Sequence, residues 1–133
     1  MVADKESEDI ARYFEECWAF IDDAFRQGSS VLVHCAQGNT TRYTRHDIQH
    51  TLARRLSLSL FGRVVVVGLT TLLCGGAGVS RSATIVVSYL VGACGWRLPA
   101  AYAHVQRHRE VVDINRGFYR QLLQLDARLH DSA

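Results

Sequence analysis

The sequence predicts an α/β domain, and three observations carry that expectation. Residues 31–34 form a short, continuous apolar run that reads as a strand. An amphipathic helix leads into it, and three helical segments fill the last third of the chain. The expected architecture is a short parallel-type sheet with a strand-loop-helix turn, closed by C-terminal helices.

The leading helix is expected over about residues 7–27. Ile10, Phe14, Cys17, Ile21 and Phe25 recur there at three- and four-residue steps and make one apolar stripe. Acidic residues crowd its opening, where the helix dipole favours negative charge. Gly28-Ser29-Ser30 breaks it, and the strand that follows ends on Cys35. Further on, residues 82–93 read as a buried helix with Ile85, Val86, Tyr89 and Leu90 on one side. A second helix starts near Pro99, a residue suited to a first turn, and runs to about Arg109. Asn115 is placed to cap a third, which carries Phe118, Leu122, Leu125 and Leu129 on one face.

The middle of the chain fits this scheme poorly. Residues 40–60 have the pattern of an amphipathic helix, and the stretch between Arg63 and Arg81 carries no charge. That stretch is barely long enough to cross a bilayer, and its glycines and polar end argue against a membrane helix. The formal charge of +2 is uneven: residues 38–77 hold five arginines against one aspartate, which leaves the rest net negative. A basic surface of the kind that binds nucleic acid is therefore not expected, nor is a membrane partner.

The opening MVADKESEDI is polar and acidic, unlike a secretory leader. The four cysteines, Cys17, Cys35, Cys74 and Cys94, have no metal-ligand spacing and suggest no disulfide framework. These features lead us to expect a single domain over residues 1–133, cytoplasmic or nuclear, with reduced thiols and no metal or cofactor. Cys17 and Cys94 read as core residues. His104 and His108, four apart on a helix, lack a third ligand nearby and read as a solvated face.

The chemistry lies at the two ends of the misfit segment. One flank reads VLVHCAQ (31–37) and the other GVSRSATIVVSYL (78–90). Joined, they give His-Cys-Ala-Gln-Gly-Val-Ser-Arg-Ser at a strand-to-helix turn. This resembles the H-C-x5-R-[ST] signature of the dual-specificity protein phosphatases, within the cysteine-dependent protein tyrosine phosphatases. The resemblance covers the chain outside residues 38–77. The Tyr13-Phe14 helix downstream of Asp4 and the run AYAHVQRHREVVDINRGFYRQLLQL also match the family, apart from Ile114, where a proline usually precedes the asparagine.

The resemblance implies a partial phosphotyrosine-phosphatase-like fold and a role for each matching residue. Cys35 would be the nucleophile, reactive as a thiolate at a helix N-terminus with cations nearby. Arg81 would clamp the phosphoryl group with two prongs. Ser82 would assist release of the thiol, and Asp4, 31 positions before Cys35, would protonate the leaving oxygen. Ala36, Gln37, Gly78, Val79 and Ser80 would line the substrate phosphate, with loop amides turned toward its oxygens. The implied function is hydrolysis of phosphotyrosine and phosphoserine or phosphothreonine in proteins. The implied partner is a phosphoprotein substrate, and no cofactor is required.

Two departures bear on activity. Only three residues precede Asp4, where the family has strands and a helix, so the strand at 31–34 would expose pairing edges. This suggests a truncated chain, or a partner that covers the edge. Cys35 and Arg81 are also 46 positions apart instead of six. Lengthening that closure costs only about 2 kcal/mol. The larger loss is geometric, because one misplaced amide donor lowers a rate by roughly 100- to 1000-fold. The expectation is a chain that is weak or inactive as it stands, with an inactive phosphoprotein-binding module as the competing reading.

Residues 38–77 are compatible with a retained intron read in frame: Gly38-Asn39 can be encoded by a GTAA donor and Ala77-Gly78 by an AG acceptor in the same phase. A decoy accompanies them. Cys74 and Arg81 are spaced C-x6-R after the apolar run at 64–67, but Leu73 replaces the histidine and the loop is one residue too long. The run GGAGVSRSAT also superficially suggests a nucleotide-binding loop, yet it lacks the Lys-Ser/Thr of a P-loop and the third glycine of the dinucleotide fingerprint.

Overall fold

One helix, which begins within the Ser80-Arg81-Ser82 triplet, forms the centre around which the others pack. The computed structural model describes residues 2–27, Val31, Val33, Cys35 and 79–131. A short 3-10 turn, Ala11–Tyr13, leads into α1 (Phe14–Arg26). The other helices are α2 (Arg81–Gly92), α3 (Leu98–His108) and α4 (Arg116–His130). No strand occurs among the described residues. The strand expected at 31–34 is represented there only by Val31 and Val33, and the patterns at 40–60 and 63–77 lie outside the described residues.

α2 packs against α1, α3 and α4. Its burial is therefore almost circumferential, extending to Ala83, Thr84, Val87, Ser88 and Val91 as well as the expected Val86, Tyr89 and Leu90. Ile85 is the exception to the predicted face and is only half-buried. A helix with neighbours on three sides has no single apolar stripe, so periodicity understates its burial. Its small polar residues satisfy themselves locally: Thr84 Oγ1 donates to the Ser80 carbonyl at 2.8 Å, and Ser88 Oγ to that of Ile85 at 2.8 Å.

The other helices bury one face each. α1 contributes Phe14 and Ile21, while Cys17 and Phe25 of the predicted stripe are half-buried. Its terminus differs from the expectation of a helix from residue 7. Residues 4–10 run as a loop, and the Gln121 carbonyl oxygen of α4 accepts from the amides of Ile10 and Ala11. A side chain from another helix thus satisfies amide donors where the helical turns begin. Trp18 stacks on Phe14 with ring centroids 6.1 Å apart and donates from Nε1 to Ser88 Oγ at 3.1 Å.

α4 is capped as predicted, with the Asn115 side chain accepting from the Phe118 amide at 2.9 Å. Phe118, Leu122 and Leu125 are buried, but Leu129 is exposed. Asp126 faces the interior near that end instead. Its carboxylate accepts from the Leu98 amide at 2.9 Å and pairs with Arg97 and His130, which satisfies a buried charge. Gly95, at φ 72°, reverses the chain after α2, a conformation suited to glycine. Cys94 beside it is exposed, not a core residue, because the helix has already ended.

Candidate functional site

The site forms where the N-terminal end of α2 meets the loop at residues 2–8 and the start of α4. Cys35 Sγ lies 3.3 Å from Ser82 Oγ, in the first turn of α2. Ser82 is buried, so its hydroxyl is held against the sulfur with little access to water. One residue from each flank of the split signature, Cys35 and Ser82, thus meets the other in space.

Asp4 is held from several directions. Its Oδ1 accepts from Ser80 Oγ at 2.9 Å and from Asn115 Nδ2 at 2.6 Å, while Oδ2 lies 3.9 Å from Arg81 Nε. Both hydrogen bonds fall on Oδ1, and Oδ2 is the oxygen that faces Arg81. Arg81 also donates from a terminal guanidinium nitrogen to the Val2 carbonyl at 2.9 Å. Ser80 accepts in turn from the Asn115 amide at 3.2 Å. Two loops and two helix termini thus converge on one carboxylate.

The described part of the loop is oriented by its carbonyls. Val79 O accepts from the Asp113 amide at 3.1 Å, and Ser80 O from the Thr84 amide at 2.9 Å. Across a trans peptide the N–H points opposite the C=O, so the amides of Ser80 and Arg81 face away from those partners. Ala36, Gln37, Gly78 and Cys74 lie outside the described residues.

Three contributors were not anticipated from the residue pattern. Arg109 is half-buried where the chain leaves α3. Burial lowers the pKa of its guanidinium, and the nearby Cys35 acts in the opposite sense. It is a second cation that interacts electrostatically with Cys35, and its position at the end of a helix signals no such role. Asn115 was recognised as a cap, but its amide also reaches Asp4. Gln121, which fixes the loop after Asp4, had no local signature at all.

Among the described residues, no group of three metal-binding side chains occurs. His104 is half-buried with its ring edge-on to Trp96 at 5.2 Å, not on a solvated face, whereas His108 is exposed. No helix among the described residues is long and apolar enough to cross a membrane.

Comparisons with known proteins bear on the family and the fold. The family profile described as dual specificity phosphatase, catalytic domain, matches residues 68–128. The chain is 35% identical over 131 residues to dual specificity protein phosphatase 1 of Arabidopsis thaliana, covering 98% of this chain and 46% of that protein. It is 31% identical over 121 residues to a Slingshot homolog protein phosphatase of Xenopus laevis, covering 91% of this chain and 12% of that protein. The chain therefore spans less than half the length of either relative.

Among solved structures, human DUSP28 superposes with a TM-score of 0.62 at 22% identity, covering 99% of this chain and 64% of that one. Human tyrosine phosphatase-like serine/threonine/tyrosine-interacting protein gives 0.59 at 27% identity, covering 96% and 58%. The fold is of the phosphatase type.

Proposed function

We propose, from the premise that this chain belongs to the dual-specificity phosphatase family, that it hydrolyses phosphotyrosine and phosphoserine or phosphothreonine in proteins through a cysteinyl-phosphate intermediate. The 3.3 Å contact between Cys35 and Ser82 carries this reading. It supports the reading because one residue from each flank of the split motif, 47 positions apart, stands beside the other.

In the first step the Cys35 thiolate attacks phosphorus, the bond from phosphorus to the side-chain oxygen breaks, and Asp4 gives a proton to that departing oxygen. Arg81 and the amides of the loop containing Ala36, Gln37, Gly78, Val79 and Ser80 stabilise charge on the transferring group. In the second step water attacks the phosphorus, the S–P bond breaks, and Asp4 accepts the proton of that water. The Ser82 hydroxyl donates to the thiolate that leaves. Arg109 adds a second positive charge that interacts with Cys35.

The same reading completes the fold with a strand at 31–34 beside a short parallel-type sheet, whose open edge a partner covers. It places a single domain over residues 1–133, interrupted at 38–77, in the cytoplasm or nucleus. It calls for no cofactor. Cys35 takes the nucleophile's role ahead of Cys74, because Cys74 follows Leu73 where the motif has a histidine and its loop to Arg81 is one residue too long.

The test is turnover of phosphotyrosyl and phosphothreonyl peptides by the chain, by a version lacking residues 38–77, and by Cys35→Ser and Cys74→Ser variants. We expect weak activity in the full chain, a gain on removing 38–77, and loss in Cys35→Ser alone. No turnover by either length would overturn the enzyme reading. Peptide binding without turnover would favour the phosphoprotein-binding alternative.

A further inference from the structure

We propose that Gly117 and Gln121 are positioning residues for Asp4, acting through the backbone of the loop that carries it. The inference rests on the reading of Asp4 as the proton donor to the leaving oxygen. The two residues sit one turn apart on α4, and each meets that loop through its main chain.

Gly117 is a contact that no other residue type can make. A Cβ added there would stand 2.0 Å from the Glu6 carbonyl oxygen and 2.5 Å from Glu6 Cα. Both are backbone atoms, so no rotamer change relieves the overlap. Glycine is disfavoured inside a helix compared with alanine, and its presence here is explained by the approach it permits. The loop must retreat if the position carries any side chain, and Asp4 lies two residues from the point of collision.

Gln121 holds the same loop from its other end. Its Oε1 accepts from the amides of Ile10 at 3.0 Å and Ala11 at 2.8 Å, and its Nε2 donates to the Glu8 carbonyl at 2.8 Å. All the hydrogen-bonding capacity used by this side chain goes to main-chain groups of residues 8–11. A turn from the Glu8 amide to the Lys5 carbonyl at 3.1 Å links that clamp to the segment next to Asp4. Ile10 is buried beyond it and anchors the exit.

Between these two fixings the carboxylate is set by small distances, 2.6 Å to Asn115 and 2.9 Å to Ser80. A displacement of about an ångström breaks both hydrogen bonds and moves the acid from the leaving group, a scale of misplacement that costs roughly 100-fold in rate. Neither Gly117 nor Gln121 touches the reacting atoms in this scheme. Their effect on chemistry runs through the acid alone.

That restriction makes the inference testable on the 38–77 deletion form and the full chain. Phosphate esters are compared whose leaving phenols range from strongly acidic nitrophenols to tyrosine. The acid matters most for tyrosine, whose phenol has a pKa of about 10. Gly117→Ala and Gln121→Leu should lower kcat for phosphotyrosine by about 10- to 100-fold. They should lower it by less than about threefold for the nitrophenyl ester, whose retained turnover reports an intact fold. Gln121→Glu keeps the acceptor for both amides but sets an oxygen against the Glu8 carbonyl, and should recover only part of the loss.

An equal fall across the series, or no fall, overturns the inference. Asp4→Asn separates the premise from the proposal: if it leaves the leaving-group dependence unchanged, the acid reading itself fails and takes the proposal with it. Should no ester be turned over, the function reading fails, and the side-chain amide resonances of Asn115 decide the positioning. A shift in Gly117→Ala or Gln121→Leu supports it, and unchanged resonances overturn it.

Discussion

Cys35 and Ser82 lie 47 positions apart in the chain, yet their side chains meet with sulfur and hydroxyl oxygen 3.3 Å apart. The hydroxyl belongs to the first turn of α2, where main-chain amides are unpaired within the helix. In the proposed reaction its weight falls on the second step, when the sulfur must leave phosphorus as an anion.

Ser82→Ala should therefore slow breakdown of the cysteinyl-phosphate by about 10- to 100-fold, the range for a hydrogen bond to a charged group. Its formation should change less. Rapid mixing with an aryl phosphate checks this: the variant should show an initial burst of phenol followed by a slow steady rate. A uniform loss of both phases would remove the assigned role.

The packing of Trp18 on Gly92 supplies a stability prediction remote from the chemistry. A Cβ at Gly92 would fall 2.0 Å from Cη2 and 2.2 Å from Cζ2 of the Trp18 ring. Gly92→Ala should destabilise the domain by about 1–3 kcal/mol, as overpacking does, despite the better helix propensity of alanine. Denaturant unfolding followed by circular dichroism reads the change. A stabilised Gly92→Ala protein would show that the ring moves aside without cost.

We expect His104 to make the domain's stability fall on the acid side. Burial, then His108 and Arg107 on the same helix, push its pKa below the ordinary 6.5, while its ring meets Trp96 edge-on at 5.2 Å. A histidine whose folded pKa is depressed binds fewer protons when native. Its contribution is fully present above pH 6.5 and is lost as the pH falls through the lower folded value. His104→Phe should flatten that part of the stability curve between neutral pH and the acid side. Denaturation midpoints across the range test it, and identical pH slopes for the two proteins would exclude His104 as the source.

Much of the helical framework was legible in the residues. The 3.6-residue pattern and the Asn115 cap placed α2, α3 and α4 within a residue or two, because helix signals are local. Ile85 and Leu129 were assigned to the core, and the fold left Ile85 half-buried and Leu129 exposed, since packing partners decide which part of a stripe is covered. Trp18 and the buried Asp126 carried no periodic signal and were missed.

The residue sequence by itself determined the chemical parts of the candidate site. A histidine-cysteine flank after an apolar run and a Ser-Arg-Ser flank before a helix are local patterns, readable across an interruption of any length. Only the tertiary structure decided that Asp4 is held by Ser80 and Asn115 and faces Arg81, and that Arg109 stands near Cys35. It also decided that Gly117 and Gln121 grip the loop in between. These contacts join positions up to 113 residues apart. No local periodicity encodes them, because they depend on how two ends of the chain pack against one central helix.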